Sequence, residues 1–177
     1  MKKLIIDKLP RITQNKTKLE EELHIKISNR GREVYIYGEA EDEYLSERVI
    51  EALNFGFPFA TALLLKHHEN VLEIINIKNH TPKKDYARIR ARLIGKGGKT
   101  LKTLSELTKC DFEIKDNFVG IIGEAEFIEN AQEAIISLIK GSKQSNVYSY
   151  LEKHQPIPII DLGLKKIVGD PKNIILI

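Results

Sequence analysis

Gly95-Lys96-Gly97-Gly98-Lys99-Thr100 gathers glycine and lysine into one short stretch, a combination suited to holding a phosphate group. Glycine lets a phosphodiester backbone come close to the protein main chain and tolerates left-handed φ. Free peptide N–H groups at the start of a following helix can donate to phosphate oxygens. Lys96, Lys99 and Lys102 recur every third residue and can spread positive charge along a strand. A nucleotide-binding P-loop would need glycine at position 93, which is Leu93, and a strand where an amphipathic helix precedes the loop. A plain helix–helix turn explains some of the glycines, but not three beside so many cations. A helix–GxxG–helix clamp for single-stranded nucleic acid fits best. Ala91 leaves room for a backbone or base, and Ile94 with Phe112 and Ile114 can supply an apolar wall.

The elements that must hold this loop follow from periodicity. Val71 to Ile77 suits a strand, and Pro82 breaks the chain before a helix. Tyr86, Ile89 and Leu93 recur at helical spacing up to about Ile94, and Leu101, Leu104 and Leu107 resume it after the glycines. Phe112 and Ile114 alternate as a strand, Asp116-Asn117 turns, and Val119 to Ile122 returns. A helix from about Ala125 ends near Gly141. The order is β-α-α-β-β-α.

That pattern occurs twice. Val34-Tyr35-Ile36-Tyr37-Gly38-Glu39-Ala40-Glu41 is echoed by Val119-Gly120-Ile121-Ile122-Gly123-Glu124-Ala125-Glu126 at an offset of 85 residues. The first copy reads as a strand at Leu4 to Asp7, a helix around 15–23, strands carrying Ile25, Ile27, Val34 and Ile36, and a helix from about Asp42 to Leu53. Its Ile12-Thr13-Gln14-Asn15-Lys16-Thr17 has no glycine where the second copy has its loop, and little room for the helix before it. Residues 55–70 read as a helical connector packed between the copies.

The net charge of +3 decides little, but its distribution is uneven. Residues 83–102 carry Lys83, Lys84, Arg88, Arg90, Arg92, Lys96, Lys99 and Lys102 against Asp85 alone. Residues 39–51 reverse this, with Glu39, Glu41, Asp42, Glu43, Glu47 and Glu51 against Arg48. A polyanion suits the first stretch and is repelled by the second, although both could be solvated helix faces. The single cysteine, Cys110, excludes an intramolecular disulfide. No apolar run approaches membrane-spanning length, and the charged start is unlike a signal peptide, so the reading is a cytoplasmic protein with no membrane contact.

At these residues the chain resembles KH domains of the eukaryotic order, type I. Phe55-Gly56-Phe57, Ala60 to Leu65, Leu72 to Ile75, the segment 88–100 and Val147-Tyr148 after the last helix together resemble the partner-of-Nob family. The fold class implied is α+β, two type I KH domains in tandem with the first degenerate. The boundaries read as 1–54 for the degenerate KH domain, 55–70 for the connector, 71–153 for the KH domain with the loop, and 154–177 for an apolar tail. The resemblance implies small ribosomal subunit assembly, with the 3′ region of precursor ribosomal RNA as substrate. It implies two partners, a PIN-domain endonuclease and the alpha subunit of translation initiation factor two. Family RNA contacts carry over to Gly95, Lys96, Gly97 and Gly98, with Arg90, Arg92, Lys99 and Lys102 beside them.

Two other classes compete. A protein-interaction scaffold whose KH folds no longer grip RNA is motivated by the degenerate copy, the acidic stretch and the apolar tail. A hydrolase finds little support. His67 and His68 are adjacent and diverge on a helix, His24, His80 and His154 lack companions at metal-ligand spacing, and Cys110 lacks a histidine partner in sequence. The expectation is a protein without catalytic residues, metal or cofactor. The tail reads as a strand or hairpin on the body, or as a partner-docking segment.

Overall fold

The computed structural model describes residues 1–154, so the tail lies outside the described residues from position 155 onward. The first copy runs β1 (Lys2–Ile5), α1 (Leu9–Thr13), α2 (Lys16–Leu23), β2 (Lys26–Arg30), β3 (Glu33–Tyr37) and α3 (Ala40–Phe55). After α4 (Phe59–Leu63) and a 3₁₀ turn (Leu64–Lys66) the second copy repeats the order. Its elements are β4 (Asn70–Asn76), α5 (Tyr86–Ile94), α6 (Lys99–Thr108), β5 (Asp111–Lys115), β6 (Phe118–Glu124) and α7 (Ala125–Lys140). Each copy has a three-stranded antiparallel sheet with its third strand in the middle, β1-β3-β2 and β4-β6-β5.

The repeat extends to backbone geometry. From the end of the second helix onward, the copies keep the 85-residue offset. Left-handed His24 (φ 53°) answers Lys109 (φ 55°), and Gly31 (φ 62°) answers Asp116 (φ 53°). Gly56 and Gly141 end the equivalent helices α3 and α7. Gly38 and Gly123 each make room for one side chain. A Cβ on Gly38 would stand 2.9 Å from Ile25 Cγ2, and one on Gly123 would stand 2.5 Å from Cys110 Sγ. The offset shrinks before that point. Lys3 pairs with Tyr35, and Ile74 pairs with Gly120, the counterpart of Tyr35, so the first strands are 71 residues apart. The first copy is therefore shorter by the difference of 14 residues, all between its first strand and second helix. That loss reduces α1 to five residues and removes the glycine loop.

The two copies share a seam. The face of the second sheet turned away from its own helices carries Leu72, Ile122 and the bare Gly120. Ile122 is fully buried in the first copy's core, and Leu72 packs against that core. Phe55 and Phe57 stack with ring centroids 5.8 Å apart. A Cβ on Gly120 would lie 2.8 Å from both rings. Burying rings of this size removes large apolar areas from water, worth about 2 kcal/mol or more each. Polar contacts line the rim. Lys115 Nζ donates to Asn54 O at 3.3 Å and pairs with Asp7 at 3.7 Å, and Arg11 donates to Gly56 O and Phe57 O. Glu113 faces this seam, where burial raises its pKa and nearby Lys8 and Arg11 partly offset the rise.

Val147 and Tyr148 do not lie beyond the last helix, as the sequence suggests. They sit within α8 (Gln144–Lys153), which buries Val147 and Leu151 in the second core. The chain turns into α8 at Gly141 (φ 110°), where Ser142 N–H donates back to Ser137 O.

Candidate nucleic-acid interface

Asp85 starts α5 by accepting from Arg88 N–H at 3.2 Å. Leu93 anchors the helix in the core, with Tyr86 and Ile89 partly buried beside it. Gly95 ends the helix at φ 75°, its N–H donating to Ala91 O at 2.9 Å. Thr100, 3% exposed, sits directly beneath this glycine. A Cβ at position 95 would overlap the Thr100 hydroxyl and stand 2.8 Å from Thr100 N. Gly95 is thus required twice, by its φ and by close approach.

Gly97 (φ 62°) and Gly98 (φ 78°) differ from it, because a Cβ on either would meet nothing within 4 Å. Their φ values favour glycine, and the space above them is open to a ligand. Lys96, Gly97 and Lys99 are exposed. α6 begins at Lys99, whose N–H donates back to Lys96 O, as Gly98 N–H does to Gly95 O at 3.2 Å. Here a partial positive charge from the helix adds to the two ammonium groups.

The loop is braced from behind by a residue that the sequence reading missed. Gln144 Nε2, at the start of α8, donates to Thr100 Oγ1 at 2.8 Å and to Arg92 O at 3.2 Å. One amide thereby ties the end of α5 to the start of α6. Nothing in the sequence marks Gln144, because its role depends on where α8 packs.

The remaining cations are divided. Arg90 donates to Asn117 Oδ1 at 2.7 Å, across to the β5–β6 turn. Arg92 donates to Ser142 O at the α7–α8 corner. Two residues advance a helix by about 200°, so the two arginines leave α5 on opposite sides. Arg90 reaches the β5–β6 turn, and Arg92 the α7–α8 corner. Lys102 is highly exposed and lies 4.0 Å from Glu106, a distance and exposure at which an ion pair contributes little. Ile94 is 39% exposed, whereas Phe112 and Ile114 pack partly into the second core.

Groups suited to catalysis are placed differently. Cys110 is buried, and burial pushes its thiol pKa up to about 11, which suppresses the nucleophilic thiolate. His68 is exposed and lies 3.3 Å from Glu41. Among the described residues no group of three His, Cys, Asp or Glu side chains could hold a metal ion, and no helix is long and apolar enough to cross a membrane.

Residues 71–156 match the family described as the eukaryotic type KH-domain, KH-domain type I, in the form of the second KH domain of PNO1. A KH domain-containing protein of Methanocaldococcus jannaschii is 30% identical over 147 residues, covering 79% of this chain and 65% of that protein. The KH domain of residues 71–156 is thus of the PNO1 type, and the proteins this chain is similar to carry the names PNO1 and Dim2. The RNA-binding protein pno1 of Ixodes scapularis is also 30% identical, covering 77% of this chain and 63% of its own. The chain thus spans somewhat under two thirds of these curated relatives. Among solved structures, the Dim2p chain in a complex with a/eIF2alpha and rRNA from Pyrococcus horikoshii superposes with a TM-score of 0.78. It is 28% identical and covers 87% of this chain and 93% of that one. The resemblance to PNO1 and Dim2 proteins and the KH fold class are therefore correct.

Proposed function

We propose that this chain is a non-enzymatic RNA-binding protein of small ribosomal subunit assembly, acting in the cytoplasm. It holds single-stranded RNA from the 3′ region of precursor small-subunit ribosomal RNA on its Gly95–Gly98 loop. The observation that carries this reading is the open space above Gly97 and Gly98, flanked by exposed Lys96 and Lys99 and leading into the first turn of α6. Gly97 and Gly98 let the phosphates approach the main chain, and Lys96, Lys99 and Lys102 supply charge with Arg90 beside them. Arg92 contributes from its own side of α5. A pno1 relative named as RNA-binding and a Dim2p seen with rRNA support the substrate class.

Two protein partners follow from the same reading. One is the alpha subunit of translation initiation factor two, which accompanies Dim2p and rRNA in the Pyrococcus complex. The other is the PIN-domain endonuclease that trims the RNA end, which this chain would assist by positioning its substrate. A scaffold that does not grip RNA is the second reading. The first copy favours it, because Gln14 and Asn15 replace the loop and its second helix carries Glu20, Glu21 and Glu22.

Salt dependence separates the two. Each phosphate contact to a single strand contributes about 0.7 to the slope of log affinity against log salt. Replacing Lys96 and Lys99 with serine should lower that slope by about 1.4 and weaken binding at least tenfold at about 0.1 M salt. Unchanged affinity and slope would leave the scaffold reading in front.

A further inference from the structure

The basic run 83–102 is continuous in sequence but does not form one surface. Arg88 and Arg92, one helical turn apart, face away from Arg90. With Lys83, Asp85, Ile89, Ile139 and Gly141 they line a cleft of about 430 Å³ between α5 and the end of α7. Ile89 and Ile139 give it an apolar element, and Gly141 leaves its mouth bare of a side chain on the α7 side. Three cations face one carboxylate. Asp85 already uses one oxygen to cap α5. Arg92 is held in place by Ser142 O. Lys83 and Arg88 are exposed, and among the described residues neither side chain has a hydrogen-bond or ion-pair partner. Three cations gathered around a concavity against a single carboxylate leave an excess of positive charge that favours an anion bridging them.

We infer that this cleft is a second phosphate site, which receives the RNA strand where it leaves the glycine loop. The inference rests on the reading of the loop as an RNA clamp. Position supports it. Arg92 lies three residues before Gly95, roughly 5 Å along the helix axis, so the cleft begins within one helical turn of the loop. Composition supports it too, because cations beside isoleucine side chains suit a phosphate with a sugar or base attached. An isolated inorganic anion would need only the cations.

The test compares two RNAs on the intact chain. One is a tetranucleotide, about the length a GxxG loop clamps, and the other extends the same sequence to about 12 nucleotides. Lys83→Ser with Arg88→Ser alters two exposed side chains remote from the core. This variant should lose at least tenfold in affinity for the longer RNA at about 0.1 M salt, with a slope shallower by about 1.4. Its affinity for the tetranucleotide should stay within about twofold of the parent, since only the longer strand reaches the cleft. An unchanged affinity for the longer RNA would overturn the inference. So would an equal loss with both lengths, which would mark a diffuse field instead of a site. If the parent protein fails to hold the tetranucleotide, the loop reading itself falls and this inference falls with it.

Discussion

The two copies share a topology, an 85-residue offset and matched left-handed residues, yet they treat one junction in opposite ways. In the second copy the α5–α6 junction is held open by glycines, and its outward side presents bare main chain and lysines. In the first copy α1 and α2 meet at Gln14 and Asn15, both with negative φ. There Asn15 N–H donates to Ile12 O, Asn15 O accepts from Leu19 N–H, and Asn15 Nδ2 donates to Arg11 O at 2.7 Å. The junction satisfies itself and offers little to a ligand. Arg11 and Lys8 are turned inward to carbonyls at the seam. On the function proposed above, a KH fold alone does not make an RNA site. Fourteen residues between strand and helix separate a surface that can take phosphate from one that supports its neighbour.

Gly95→Ala against Asn15→Ala tests that contrast most severely. The first forces a Cβ onto Thr100 at left-handed φ, and it should cost about 2–4 kcal/mol. The second removes one exposed hydrogen bond and should cost about 1 kcal/mol or less. Urea denaturation of both variants reads the difference, and equal costs would dissolve the distinction between the junctions.

Gln144→Ala comes next. Removing the brace leaves the loop's sequence intact but frees Thr100 Oγ1 and Arg92 O, at about 1–2 kcal/mol of stability. RNA affinity should fall severalfold, and Gln144→Glu, whose carboxylate can donate neither bond, should behave alike. If stability falls but RNA affinity does not, the brace serves folding alone.

The matched pair Ile25 and Cys110 gives a smaller, pH-dependent effect. The folded thiol pKa is raised above its ordinary value of 9, so the folded state holds the proton more tightly. Below pH 9 stability is unaffected. Between pH 9 and about 11 the unfolded chain ionises first, and stability should decline by at most about 2 kcal/mol. Cys110→Ala should remove that part of the decline, seen as a smaller difference in urea midpoint between pH 8 and 10.5. An identical decline in both proteins would assign it to other groups.

Much of this organisation was legible in the sequence. The strand ending in Gly-Glu-Ala-Glu survives in both copies because its glycine must accommodate Ile25 or Cys110, and such packing keeps a motif recognisable. The glycine loop was legible because open φ and cations leave a local signature. Three features were not. α8 carries only Val147 and Leu151 as buried apolar residues, too few to register as a periodic face. The seam depends on Gly120 having no side chain, and an absent side chain leaves no pattern. Arg90 and Arg92 look equivalent as charges, and only helical geometry sends them to different surfaces.

The most direct measurement is fluorescence anisotropy of a labelled single-stranded RNA copying the 3′ end of small-subunit ribosomal RNA. It should be run beside a scrambled RNA and the variant carrying Lys96→Asp and Gly97→Asp. Position 97 has room for a side chain, and Asp is among the residues that tolerate its φ, so the fold should survive at a cost of about 1–2 kcal/mol. The account predicts sequence-selective binding by the parent protein and a loss of about 100-fold or more in the variant, as two attractive phosphate contacts become repulsive. Equal affinity of a folded variant and its parent would contradict the claim that the second copy's loop holds the RNA.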